Sequence, residues 1–147
     1  MSALRKGARR SLWVGVGVAA IVASGCAEMM SSGGMGSVTL SGSQEVPAVT
    51  TAASGKGTIT VAADKSVSGS VTTSGVAGTA AHIHLAAAGQ NGPVIVPLSK
   101  TSDNVWSVAA GAKLTDAQYD AYKAGNLYVN VHSDANKAGE IRGQLKP

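Results

Sequence analysis

Strict two-residue alternation, in short runs broken by turn residues, most narrows what this chain can fold into. Thr58-Ile59-Thr60-Val61 alternates, with Ile59 and Val61 on one side. Residues 67–72 alternate again beyond Asp64-Lys65-Ser66, so the two runs read as a hairpin. Successive side chains of a strand point to opposite faces, so this pattern suits a sheet with one buried face. Residues 80–86, 94–98, 104–109, 127–132 and 140–145 are further strand candidates. Gly89-Gln90-Asn91-Gly92-Pro93 marks a loop, and Pro97 argues for an edge or the end of its strand. One helix interrupts. Thr115-Asp116-Ala117-Gln118 fits a capping box, with Thr115 as N-cap, and Gly125 fits the stop. Many short strands with one helix predict an all-β antiparallel sandwich. Its core must be built from Val, Ile, Ala and Leu, because the chain has no Phe. Trp106 reads as a core plug.

The first 25 residues read as an address rather than as part of the fold. Arg5, Lys6, Arg9 and Arg10 precede an apolar run, Leu12 to Ala23, that is too short for an ordinary membrane span. Ala23-Ser24-Gly25-Cys26 resembles a bacterial lipobox, which makes Cys26 the lipidation site and residues 1–25 a lipoprotein signal peptide. Ala23 stands where Leu is usual. Ala27 rather than Asp after Cys26 is similar to outer-membrane sorting in enteric bacteria. The expected location is therefore the bacterial cell envelope, as an outer-membrane lipoprotein facing the periplasm or the cell surface. Residues 26–37 read as a small, Gly/Ser-rich lipidated tether. Its Met29, Met30 and Met35 offer thioethers to Cu(I), although three Met in a tether are more often incidental. Residues 38–147 then form one domain, long enough for a single core.

Charge follows the same division. Four of the twelve Lys and Arg lie in the leader, which leaves eight against eight Asp and Glu. No basic run survives and aromatics are few, so nucleic acid is not an expected partner. With Cys26 as the single Cys, no intrachain disulfide can form.

All three histidines fall on strand candidates. His82-Ile83-His84 places two imidazoles on one face, and Tyr128-Val129-Asn130-Val131-His132 places Tyr128, Asn130 and His132 on one face. If the two strands lie close, three imidazoles converge, and imidazole suits zinc, copper, iron or nickel. The plainer alternative is a polar strand face that hydrogen-bonds nearby loops.

The residues also assemble into a family pattern. Leu40-Ser41-Gly42-Ser43-Gln44-Glu45-Val46-Pro47 is followed by Ala81-His82-Ile83-His84 and by Gly89-Gln90-Asn91-Gly92-Pro93. Leu127-Tyr128-Val129-Asn130-Val131-His132 and Gly139-Glu140-Ile141-Arg142-Gly143-Gln144-Leu145 complete it. This order and spacing resembles the CHRD domain, first named for repeats in chordin and common in bacterial secreted proteins. The resemblance covers about residues 38–146 and implies an immunoglobulin-like β-sandwich. It implies little about function. Leu85 stands where the family usually has Gly, and Ser133 where it has Thr.

Several chemical readings follow. His82, His84 and His132 are the metal candidates, for copper or zinc, with Glu140, Glu45, Asp134 or water as a fourth ligand or support. Asn130 and Arg142 are structural polar candidates. Glu140 and Arg142, two apart on one strand, could pair for about 0–1 kcal/mol if exposed. Gln44-Glu45-Val46-Pro47 reads as an edge strand. No nucleophile constellation and no phosphate loop appear, so catalysis is not the first expectation. A structural or interaction module that binds protein or glycan at the cell surface is the second reading. A copper-dependent redox enzyme is the third. The His pattern is similar to that of copper–zinc superoxide dismutases, but those use more histidines and an intrachain disulfide.

Overall fold

A computed structural model describes residues 34–147. The signal peptide, Cys26, Met29, Met30 and most of the tether lie outside the described residues. Eight antiparallel strands follow in chain order: β1 (Gly34–Ser41), β2 (Ser54–Val61), β3 (Val67–Ser74), β4 (Gly78–Leu85), β5 (Val94–Ser102), β6 (Val105–Val108), β7 (Leu127–Ser133) and β8 (Ile141–Gln144). Around the molecule they run β1-β2-β3-β6-β5-β4-β7-β8, and β8 meets β1 again, so the sheet closes into a barrel. The stretch β3-β6-β5-β4 is a Greek key, with β3 beside β6, the last of the three sequential strands β4, β5 and β6 that follow it.

Closure corrects the predicted sandwich. The strands, their antiparallel sense and the single helix are as the sequence implies, but the sheet closes on itself, with β8 beside β1. Two short ladders make the difference. β3 meets β6 over Ser70–Thr72, and β1 meets β8 at Ser41 opposite Arg142. Alternation reports only that one face of each strand is buried, and that holds equally for a sandwich and for a barrel.

The inner face carries the core. Leu40, Ile59, Val61, Val71, Ile83, Val129, Val131 and Ile141 are among its fully buried side chains. An eight-stranded barrel has an interior just wide enough for side chains to fill, so branched aliphatics suffice without Phe. Trp106 is buried here, as a plug should be. The β2–β3 hairpin turns at Asp64, whose Oδ1 accepts from the Ser66 backbone N–H at 3.0 Å.

Helix α1 (Asp116–Lys123) carries the expected capping box: the Gln118 backbone N–H donates to Thr115 Oγ1, and the Thr115 N–H to Gln118 Oε1. Tyr122 and the preceding Leu114 are buried against the barrel. No helix among the described residues is long and apolar enough to cross a membrane.

Three local expectations change. Strand β1 begins at Gly34, inside the stretch read as tether, because residues 34–37 pair by backbone with residues 58–61. Glycines carry no alternation, so the sequence hides them. Pro97 lies within β5 rather than at its end. Residues 94–97 precede the β5–β6 ladder, which starts at Leu98 opposite Val108, so Pro97 has no partner strand on that flank. Residues 42–44 form a 3-10 turn rather than an edge strand. The Gly42 carbonyl accepts from the N–H groups of both Glu45 and Val49 and folds the chain back.

Ile59 is wholly buried at the centre of β2. Ile59→Ala should cost about 2–5 kcal/mol of unfolding free energy by cavity formation. Urea denaturation measures it, and a loss under about 1 kcal/mol would contradict a filled barrel interior.

Candidate metal centre

The outer face of β4, β7 and β8 is polar and yet mostly buried. Along β7, Leu127, Val129 and Val131 enter the core, while Tyr128, Asn130 and His132 take the opposite face; of the seven residues only His132 is not fully buried. Three connections roof this face. The 42–49 segment brings Glu45 against Asn130, whose Nδ2 donates to Glu45 Oε1 at 2.7 Å. The 86–93 loop brings Gly92, whose N–H donates to the Tyr128 hydroxyl at 3.2 Å. The 134–139 turn brings the Lys137 carbonyl to His132. Asn91 ties the first two together by donating to the Val46 carbonyl at 2.7 Å.

Register sets the imidazoles. His82 lies opposite Asn130, His84 opposite Tyr128, and Ala80 opposite His132. His132 is thus the diagonal neighbour of His82 on the same face, within reach of a long side chain. A bulge between Ile83 and His84 on the β5 side coincides with the turn of His84 toward the 86–93 loop. One candidate ligand atom from each of His82, His84 and His132 lies within 4.8 Å of the other two.

Hydrogen bonds set the tautomers. His84 Nδ1 lies 2.9 Å from the Gly92 carbonyl and His132 Nδ1 lies 2.9 Å from the Lys137 carbonyl. A carbonyl only accepts, so both Nδ1 atoms carry the proton and both Nε2 atoms present lone pairs. His82 Nδ1 is 3.0 Å from His132 Nε2 and donates to it when the cluster is neutral. His84 Nε2 is buried with no hydrogen-bond partner among the described residues. Gly92 holds its place because a side chain there would collide with the Leu85 carbonyl, 1.8 Å from an added Cβ.

Burial is the first cause that lowers the His82 pKa, followed by the charges of His132 and His84. Burial also leads for His84; the Gly92 hydrogen bond opposes it, and the charges of His132 and Arg142 add to it. Both rings therefore stay neutral to lower pH than free imidazole, in the state a metal requires.

The candidate acids go elsewhere. Glu140 accepts from Thr51 Oγ1 at 2.8 Å and from Ser133 Oγ, bonds that lower its pKa, with Ser133 the larger cause. Asp134 is exposed in the turn after β7. Glu45 is buried beneath Gly139, whose missing side chain makes the space: an added Cβ would sit 2.3 Å from Asn130 Nδ2. No carboxylate among the described residues joins the histidine cluster. The expected Glu140–Arg142 pair does not form either. Arg142 is 1% exposed, stacks its guanidinium 3.4 Å over the centre of the Tyr128 ring, and has no carboxylate at ion-pair distance among the described residues. Tyr128 in turn stacks on His84 at 4.9 Å with planes 9° apart. Sequence patterning pairs Tyr128 with His132 on one face but gives no sign of this imidazole–phenol–guanidinium stack. It also gives no sign of the role of Gly92, or of Gln144, whose Nε2 donates to the Ala86 and Gly125 carbonyls at 2.9 and 2.8 Å, because both depend on loop closure.

The molecule is thus an all-β barrel protein with a three-histidine cluster on its outer wall, roofed by loops. The CHRD domain profile matches residues 36–145, and the chain belongs to that family. Neither curated proteins nor solved structures give a match.

Burial pushes the Glu45 carboxyl up from 4.5 to about 7, against the pull of Arg142 and a backbone hydrogen bond from Val46. The folded state therefore binds this proton more tightly than the unfolded chain. The associated stability is complete below about pH 4.5 and is lost as pH rises through about 7. Glu45→Gln removes the titration and keeps the shape. Its stability relative to wild type should rise between pH 5 and pH 8, measured by urea denaturation at each pH; a difference that is flat or falls contradicts the assignment.

Proposed function

We propose that this CHRD-domain protein is a lipid-anchored protein of the bacterial cell envelope that binds a copper or zinc ion through His82, His84 and His132. One observation carries the metal reading: three ring nitrogens converge, two with tautomers fixed by backbone carbonyls, and His84 Nε2 is buried with no hydrogen-bond partner among the described residues. Carbonyl-bound Nδ1–H groups that leave Nε2 free are the usual support of metal-ligating histidine. His84 and His132 would bind through Nε2, and His82 through Nδ1 in place of the proton it now shares with His132. Nitrogens 2.0–2.1 Å from a tetrahedral zinc stand about 3.3 Å apart. The 3.0 Å His82–His132 spacing is already close to that, and modest side-chain rotation brings in His84. Water is the fitting fourth ligand, since the nearby acids are engaged elsewhere. The donor set is that of a holding site, and turnover is not part of this proposal.

A second reading has its own support. The same hydrogen bonds fasten the 86–93 and 134–139 loops to the strands without any ion, as an interaction module that binds protein or glycan would need. Melting curves separate the two. At pH 7, copper or zinc at a hundred times Kd should stabilise wild type by about 2.7 kcal/mol. The effect should shrink toward pH 5 as the imidazoles protonate, and His84→Ala should abolish it. A shift fully retained in His84→Ala places the ion elsewhere, and no shift with either metal favours the interaction module.

The anchor rests on Cys26 at the end of the leader. We expect Cys26→Ser to prevent acylation and to move the protein from the membrane to the soluble fraction. Wild-type protein that takes up no labelled fatty acid and fractionates as soluble would remove the anchor, and with it the outer-membrane placement, from the proposal.

A further inference from the structure

Beyond the histidines, Arg142 lines a separate cavity of about 230 Å³ between the 42–46 segment and the 88–89 rim, together with Glu45, Gln44 and Gln144. Its charge has no carboxylate at ion-pair distance among the described residues and rests on the face of Tyr128 and on neutral oxygens. A guanidinium has five N–H donors, and this one makes three hydrogen bonds, all to neutral oxygens and all long: Asn91 Oδ1 at 3.3 Å, the Ala87 carbonyl at 3.2 Å and Gln144 Oε1 at 3.3 Å. Bonds from a guanidinium to an anion run nearer 2.7–2.9 Å. Burying a cation without a counter-ion is costly. Glu45 is the one acid on the cavity wall. It does not reach ion-pair distance and is bonded to Asn130 instead. The rim residues Ala88 and Gly89 are small and exposed, which leaves the mouth open.

We propose that this cavity is a binding site for a small carboxylate, with Arg142 as its counter-ion. Two of the five Arg142 N–H donors have no hydrogen-bond partner among the described residues and are left for a carboxylate oxygen. The volume lies below the usual range of about 300–1,000 Å³ for drug-sized ligands, so the occupant has few heavy atoms. Burial raises the Glu45 pKa to about 7, so below that pH the carboxyl is mainly neutral, repels an anion little and can donate its O–H to the incoming oxygen. No histidine lines the cavity, so the proposal does not require the metal site to be occupied.

The test titrates sodium acetate into purified ¹⁵N-labelled protein, against sodium chloride at matched ionic strength. The Ala88 and Gly89 amides and the Arg142 side chain report binding. Saturable shifts with acetate and not with chloride are expected in wild type and in His84→Ala. Ala88→Trp, which fills the mouth from an exposed position, should abolish them, as should Arg142→Gln; if Arg142→Gln fails to fold, Ala88→Trp decides. The proposal is overturned by any of three results: no saturable shift, shifts fully retained in Ala88→Trp, or inorganic phosphate binding as well as acetate.

Discussion

The pairing of β4 with β7 is the constraint on which the rest of the site depends. Seven register pairs run from Gly78 opposite Ser133 to Leu85 opposite Leu127. The period of two then does two jobs at once. It sends Ala81, Ile83, Leu127, Val129 and Val131 into the barrel, and it sends His82, His84, Tyr128, Asn130 and His132 outward. A slip of one residue would exchange the two sets, bury imidazoles in the core and expose the aliphatics. Core packing thus enforces the geometry of the cluster, and the histidines need not hold themselves together.

The outer face would be ordinary solvated sheet without its roof. The 42–49 segment, the 86–93 loop and the 134–139 turn convert it into a half-buried polar layer, and each reaches it through a named bond: Glu45 to Asn130, Gly92 to His84 and Tyr128, Lys137 to His132. Burial is why His82, His84 and Glu45 all favour their neutral forms. Arg142 is the exception, a permanent charge in the same layer. Neutral oxygens and the face of Tyr128 support it, and it borders a cavity in which an outside anion could balance it. Its stack on Tyr128, itself stacked on His84, also links the two proposed sites physically.

Much of this was legible in the sequence because it depends on local periodicity. The hairpin at Asp64–Ser66, the capping box at Thr115 and Gln118, the buried Trp106 and the shared faces of His82 with His84 and of Asn130 with His132 all follow from spacing. Barrel closure did not, because the β1–β8 and β3–β6 ladders are short and leave the alternation unchanged. The fates of Glu45, Asp134, Glu140 and Arg142 were also hidden. Pairing two apart on a strand suggested a Glu140–Arg142 contact, but loops distant in sequence supply the partners instead: Thr51 for Glu140, Asn91 and Ala87 for Arg142. Which polar groups meet is decided by three loop conformations, and those depend on single positions such as Gly92 and Gly139, where a side chain would collide with its neighbours.

The central claim is that His82, His84 and His132 share one ion. Crystals exposed separately to copper and to zinc, with anomalous difference maps at each absorption edge, test it most directly. The account predicts a single strong peak about 2.0–2.1 Å from His84 Nε2, His132 Nε2 and His82 Nδ1. An anomalous peak at other residues, or occupied crystals in which the His82 Nδ1 to His132 Nε2 hydrogen bond stays intact with no ion beside it, would contradict it.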